Sequence, residues 1–224
     1  MNDEFARDES GNVHYVRDNG SQLKILIDGH PRQGNQYLRC LMLGSFPEID
    51  IPYPLSHDLS SIKKQIDQGL TVFMTLREPL GCMTSLISDF LYGPNWLSNS
   101  SISEFRSLVY EEFGRRYIEE KFENYINMTE FMILNIEKIT VVDFETIKNT
   151  QEQILAKHIG KIIGTKNQPI AFNAHENTYS SSKSNISEHL LNGKFANILE
   201  LAKSTHDKAL RLSKNQLILK NLYL

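Results

Sequence analysis

The sequence predicts an α/β domain in three layers, α/β/α, with a central, mostly parallel sheet between two layers of helices. Three observations carry that expectation. Short apolar runs of strand type recur at Leu23 to Ile27, at Leu70 to Leu76 and within Met132 to Phe144. Each is followed by a segment whose apolar residues return at helical spacing. The second run, LTVFMTL, is apolar almost throughout, as a strand buried on both faces requires. Strands that alternate with helices in this way give a parallel sheet covered on both sides.

Composition sets the outer bounds. A chain of 224 residues that is 40% hydrophobic fits one sizeable domain, read as 23–224 after an N-terminal arm at 1–22. A formal net charge of -3 argues against nucleic acid as the main partner. Cys40 and Cys82 sit among apolar neighbours and read as buried thiols in a reducing compartment, not as a disulfide or a metal site. The acidic, polar start MNDEFARDES is unlike a signal peptide, and no apolar run reaches the length of a membrane span. The expected location is therefore cytoplasmic, with no membrane partner. Asn99, Asn127 and Asn185 open formal glycosylation sequons, which in that setting are chance matches.

In chain order, the polar arm carries a short hairpin around His14–Val16. A strand over 23–28 leads through a tight loop into a helix over about 35–44. Pro47, Pro52 and Pro54 confine any strand in Glu48 to Tyr53 to a sheet edge. Asp58 or Ser60 caps a short helix through Ile62, Ile66 and Leu70. The strand Leu70 to Leu76 ends at Arg77-Glu78-Pro79, and Leu80 to Leu91 resumes helical spacing, with Ser85 on that helix. Ser101-Ile102-Ser103-Glu104 has capping-box form before a long helix striped by Phe105, Phe113, Tyr117, Phe122 and Tyr125, a stripe that reads as core. Met132 to Phe144 reads as a strand. Asn149 or Thr150 then caps a helix that buries Ile154, Leu155, Ile159, Ile162 and Ile163 and ends at Gly164. A long polar segment, 165–187, precedes a last helix over about 188–213.

The chemistry concentrates in Asp28 to Asn35, which packs Gly29, Pro31 and Gly34 between a strand and a helix. A strand–loop–helix turn aims backbone N–H groups and the positive end of a helix at one point, which suits a phosphate or sulfate. Arg32 adds a planar, permanently charged fork, and Gly34 lets the backbone approach an anion closely. No Lys-Ser or Lys-Thr follows the glycine, so the Walker A pattern of ordinary nucleotide triphosphate sites is absent.

Four stretches together resemble the sulfotransferase family, which moves a sulfuryl group from 3′-phosphoadenylyl sulfate (PAPS). Pro31-Arg32-Gln33-Gly34-Asn35-Gln36-Tyr37 resembles the family's 5′-phosphosulfate loop. Thr75-Leu76-Arg77-Glu78-Pro79 through Ser85 resembles its 3′-phosphate motif, with an Arg ending a buried strand and a Ser eight positions later. Ser56-His57-Asp58-Leu59 resembles the segment that carries the family's catalytic histidine. Val142 to Lys148, with the helix after it, resembles the family's Tyr-Glu-Asp-Leu strand end. The resemblance spans 23–164 and implies a P-loop-transferase-like fold. There are departures. Gln33 and Gln36 stand where small hydroxyl residues are usual: their amides can donate to phosphate, or their length can obstruct the phosphosulfate; Phe144 replaces a Tyr; the C-terminal basic loop has only Lys183 as a candidate.

What the resemblance implies is a transferase with PAPS as co-substrate, no metal, and a small-molecule or glycan acceptor offering a hydroxyl or an amine. Arg32, with Gln33, Gly34, Asn35, Gln36 and Tyr37 of the loop, would bind the 5′-phosphosulfate. Arg77 and Ser85, with Lys183, would hold the 3′-phosphate. Arg32 would also meet the charge growing on the leaving group, and His57 would take the acceptor's proton, a role its ordinary pKa of about 6.5 suits. Glu48, Asp50 and Asp58 are the alternative bases, while His30 reads as structural or solvent-facing. Tyr92, Trp96 and Phe113 are candidate pocket aromatics. Two other classes remain in view: a weak or inactive nucleotide-binding module of the same fold, and a kinase-like phosphotransferase, to which Asn35 and Gln36 offer poor magnesium ligands.

Overall fold

The computed structural model describes residues 4–7, 13–16, 23–51, 57–92, 112–166, 187, 190–191 and 193–213. Strand β1 (Glu4–Arg7) pairs antiparallel with β2 (Val13–Val16), the hairpin expected near His14.

The apolar run at 23–28 is β3 (Leu23–Asp28), followed by α1 (Asn35–Ser45) and a two-residue strand, β4 (Ile49–Asp50). Then come α2 (Leu59–Asp67), β5 (Thr71–Leu76), α3 (Pro79–Tyr92) and α4 (Glu112–Leu134). The last elements are β6 (Thr140–Asp143), α5 (Phe144–Asn149), α6 (Glu152–Ile163) and α7 (Ala196–Ser213). β3, β4, β5 and β6 form a parallel sheet in the order β4-β3-β5-β6. β4 is its edge, as the proline-rich sequence around it requires.

Side chains alternate across the sheet as a period of two dictates. Ile25, Ile27, Phe73 and Val142 face a core filled by Leu38, Leu41 and Met42 of α1, Ile147 of α5 and Leu155 and Ile159 of α6. Leu26, Val72, Met74 and Val141 face the opposite core, filled by Ile62 and Ile66 of α2, Met128 and Met132 of α4 and Ala209 of α7. Helices therefore cover both faces. Phe73 is fully buried, and truncating such a side chain to alanine costs about 3–5 kcal/mol. A third cluster joins α3, α4 and α7 through Met83, Ile87, Ile118, Phe122, Tyr125 and Leu199, so the described part of the aromatic stripe is core.

Four expectations are corrected. The last helix starts at Ala196 and not near 188, because the chain turns at 193–195 before it. Met132 to Leu134 belong to α4, not to a strand, because Met128 and Met132 continue its buried stripe at a spacing of four. Asn135 closes that helix, its Nδ2 donating to the Phe131 carbonyl at 2.9 Å, and only the β-branched stretch from Thr140 pairs with β5. α5 intervenes before α6: Asp143 caps it by accepting the Thr146 N–H at 3.1 Å, which moves the next helix start to Glu152, past Asn149 and Thr150. That phase leaves Ile154 43% exposed, while Leu155 and Ile159 are buried as expected. Leu70 lies beyond α2, which ends before Gly69 at φ 78. Among the described residues, no helix is long and apolar enough to cross a membrane.

The sheet order places the candidate loop. From β3 the chain steps to one side to make β4, then crosses back to make β5 on the other side. The crevice between the C-terminal ends of β3 and β5 is thus a topological switch point, where open parallel sheets take their ligands. The loop after β3, Arg77 after β5 and Phe144 after β6 all lie on that edge.

Candidate functional site

The loop between β3 and α1 is braced from inside. Gln33 Oε1 accepts the His30 N–H at 2.9 Å, and Asn35 Nδ2 donates to the His30 carbonyl at 3.1 Å. Thr75 Oγ1, from β5, donates to Asn35 Oδ1. Gly34 has φ 95, and a Cβ there would lie 2.9 Å from Phe144 Cδ2, so only glycine fits between the loop and the start of α5. Arg32 also takes a left-handed conformation, φ 68, at a cost of about 1–2 kcal/mol. Its carbonyl is held by Arg77 Nη1 at 3.1 Å.

That bond opens a junction of two cations. Arg32 Nε donates to Ser85 Oγ on α3 at 3.3 Å, and Ser85 is only 4% exposed. The Arg77 guanidinium stands 4.3 Å over the Phe144 ring, and the Arg77 carbonyl accepts the Tyr125 hydroxyl at 2.6 Å. Phe144, without a hydroxyl, thus acts as an aromatic floor for a cation. Beside the two guanidiniums, α1 starts with Gly34 at its cap and no side-chain capping bond. The arrangement offers two planar charged forks, a hydroxyl and a helix N-terminus to anionic groups.

His57 forms the second centre. Asp28, the last residue of β3, is fully buried, and its carboxylate accepts the Gly29 N–H at 2.8 Å and the His57 N–H at 3.2 Å. His57 Nδ1 lies 2.9 Å from Asp28 Oδ1 and 2.6 Å from the Gly29 carbonyl. Both are acceptors, so Nδ1 carries the proton and the neutral ring keeps its lone pair on Nε2. Burial lowers the His57 pKa, but the hydrogen bond and charge of Asp28, with the Gly29 carbonyl, outweigh it and raise the group above 6.5.

His57 lines a cavity of about 430 Å³ with His30 and Pro31 of the loop and Tyr117, Lys121 and Asn124 of α4. His30 is structural: burial drives its pKa down to about 4, its Nδ1 lies 3.0 Å from the Pro31 carbonyl, and its ring meets Tyr125 edge-on at 5.5 Å. Cys82 is buried 3.5 Å from the same Nδ1, and desolvation pushes its thiol up to about 12, which makes it inert at neutral pH. Cys40, by contrast, is only half-buried.

Arg32, Gly34, Arg77 and Ser85 are brought together, and His57 lies on the cavity side of the same loop. Gln33 and Asn35 are buried: Gln33 Oε1 and the Asn35 amide brace the loop, while Gln33 Nε2 is buried without a hydrogen-bond partner among the described residues. Gln36 turns to Cys40 Sγ at 3.7 Å, and the Tyr37 hydroxyl donates to Glu152 Oε1 at 3.3 Å, tying α1 to α6. Asp58 is an exposed cap of α2, Glu48 is exposed and Asp50 sits on the edge strand. Lys183, Trp96 and the side chains of Tyr92 and Phe113 lie outside the described residues.

Sequence reasoning missed Asp28, Lys121 and Asn124. Asp28 was detectable as a carboxylate ending an otherwise apolar strand, an expensive position unless partnered. Lys121 and Asn124 interrupt the aromatic stripe on α4, a weak signal on a helix with many charges. Among the described residues, no three His, Cys, Asp or Glu side chains converge as metal ligands. Compared with protein-family models, with curated proteins and with solved structures, the chain matches none of them.

Proposed function

We propose that the chain is a PAPS-dependent sulfotransferase of P-loop-transferase-like fold, which moves a sulfuryl group to a hydroxyl or amine acceptor. The observation that carries this reading is the junction of Arg32 with Ser85 and Arg77. Two motifs that resemble the 5′-phosphosulfate loop and the 3′-phosphate motif stand 53 residues apart in sequence, and the Arg32–Ser85 bond joins them. Two guanidiniums and a hydroxyl beside a helix N-terminus suit a nucleotide phosphorylated at both ends of its ribose. PAPS would supply the sulfuryl group. Arg32 would neutralise the 5′-phosphate end, Arg77 and Ser85 the 3′-phosphate, and His57 Nε2 would accept the acceptor's proton while Asp28 holds the ring.

The second reading is a nucleotide-binding module of the same fold without turnover. Gln33 favours it, because it stands in place of the family's small hydroxyl residue and its Oε1 serves the His30 N–H. The deciding experiment incubates the chain with radiolabelled PAPS and a panel of alcohols, phenols, sugars and amines. Transfer is expected, and His57→Ala should slow turnover by about a hundredfold with PAPS affinity unchanged. Tight binding with no transfer to any acceptor would select the module. Transfer that survives His57→Ala would remove His57 as the base.

A further inference from the structure

We infer that the cavity beside His57 takes a small molecule that carries both a hydroxyl and a negative charge, with Lys121 holding the charge and His57 Nε2 meeting the hydroxyl. The inference rests on the transfer reading only for the fate of that hydroxyl. Arg32, Arg77 and Ser85 do not line the cavity, whereas His30 and Pro31 of the same loop do. The cavity thus adjoins the loop through His30 and Pro31, the two residues that precede Arg32 in the chain.

The lining sets the class of ligand. A volume of about 430 Å³ is that of a small-molecule site, large enough for a ring and its substituents. Leu59, Leu86 and Met128 give apolar walls suited to a carbon skeleton. Tyr117, Lys121, Asn124 and Met128 recur at helical spacing, so one face of α4 forms the wall. Among the described residues of that lining, Lys121 is the only Lys or Arg and there is no carboxylate. Its Nζ stands 4.9 Å over the Tyr117 ring and 3.3 Å from Oε1 of Glu120, a side chain 62% exposed and outside the lining. With His30 held neutral by burial, Lys121 supplies the permanent positive charge among the described lining residues, while the Asp28 carboxylate lies behind His57, on its Nδ1 side. Asn124 adds a donor and an acceptor for further polar substituents.

Matched pairs of probes test this on the full chain without PAPS: 4-hydroxybenzoate against 4-hydroxybenzyl alcohol, and glucuronate against glucose. Calorimetry should find the charged member of at least one pair bound about tenfold tighter or more by the parent. Lys121→Met should bring that pair to equality, and Lys121→Arg should keep the preference, which separates charge from packing. Equal binding within both pairs, no binding of either charged probe, or a preference that survives Lys121→Met would overturn the inference. In a second assay with PAPS added, a parent that keeps the preference but transfers sulfuryl to none of the four, nor to any acceptor of the wider panel, keeps the cavity assignment and loses the transfer reading. Transfer to charged and neutral members alike, unaffected by Lys121→Met, does the reverse.

Discussion

Replacing Asp28 by asparagine probes the part of the site that has the least slack. The carboxylate is fully buried and surrounded by donors: Gly29 N–H at 2.8 Å, His57 N–H at 3.2 Å and His57 Nδ1 at 2.9 Å. An asparagine has the same shape but brings an NH₂ group, which must face one of those donors. One buried donor is then left unpaired, at about 1–3 kcal/mol, or roughly 2–12 °C in melting temperature for a chain of this size. The charge that raises the His57 pKa also disappears, so in Asp28→Asn the ring should titrate at lower pH than in the parent. The parent's folded value lies above the unfolded 6.5, so the pair's stabilisation is complete below about pH 6.5 and is lost as pH rises through the folded value. Asp28→Asn should flatten that part of the stability curve. Nitrogen-15 shifts of the neutral ring should show the proton on Nδ1 in the parent, and transfer should fall by about tenfold or more in the variant. A parent with the proton on Nε2, or a variant whose His57 titrates at or above the parent's pH, would refute the reasoning.

Two further outcomes concern the loop. His30 works in the opposite sense to His57: its folded pKa is about 4 against 6.5 unfolded, so stability should fall by about 3 kcal/mol as pH drops from 6.5 to 4. His30→Phe, which keeps a ring against Tyr125, should weaken that acid sensitivity in denaturant titrations, and an unchanged slope would assign it elsewhere. Gln33→Ser removes the acceptor of the His30 N–H and leaves a void, so it should destabilise the chain by about 1–3 kcal/mol, read by thermal melting. A variant as stable as the parent would show that the brace is dispensable.

The parallel sheet and the loop were legible because their signals are local. LTVFMTL fits a strand buried on both faces, and Asp58 and Gly164 mark their helix ends through side-chain or backbone chemistry that acts within a few residues. The end of α4 was not legible, because Met132 to Leu134 suit a strand and a helix equally until Met128 and Met132 find the sheet face. α5 was hidden for a similar reason: Asp143 ends a strand and caps a helix with the same carboxylate. At the site, the types and order of Arg32, His57, Arg77 and Ser85 were readable, but what each touches was not. Gln33 looked like an obstacle by size, and only the turn of the loop reveals that its amide points inward to His30. Asp28 and Lys121 act on the cavity through contacts made by folding, 29 residues away in the case of the Asp28–His57 pair.

The central claim is that Arg32, Arg77 and Ser85 form one seat for a nucleotide phosphorylated on both its 3′ and 5′ sides. Titration calorimetry of the chain with adenosine 3′,5′-bisphosphate and with ADP, at equal ionic strength, tests it most directly. The bisphosphate should bind about tenfold tighter or more. Arg77→Ala should weaken the bisphosphate by about 2–4 kcal/mol, because a charge-assisted contact in a partly buried site is lost, and should weaken AMP by less, through release of the Arg32 carbonyl alone. ADP binding as tightly as the bisphosphate, or equal losses for the bisphosphate and AMP in Arg77→Ala, would contradict the claim.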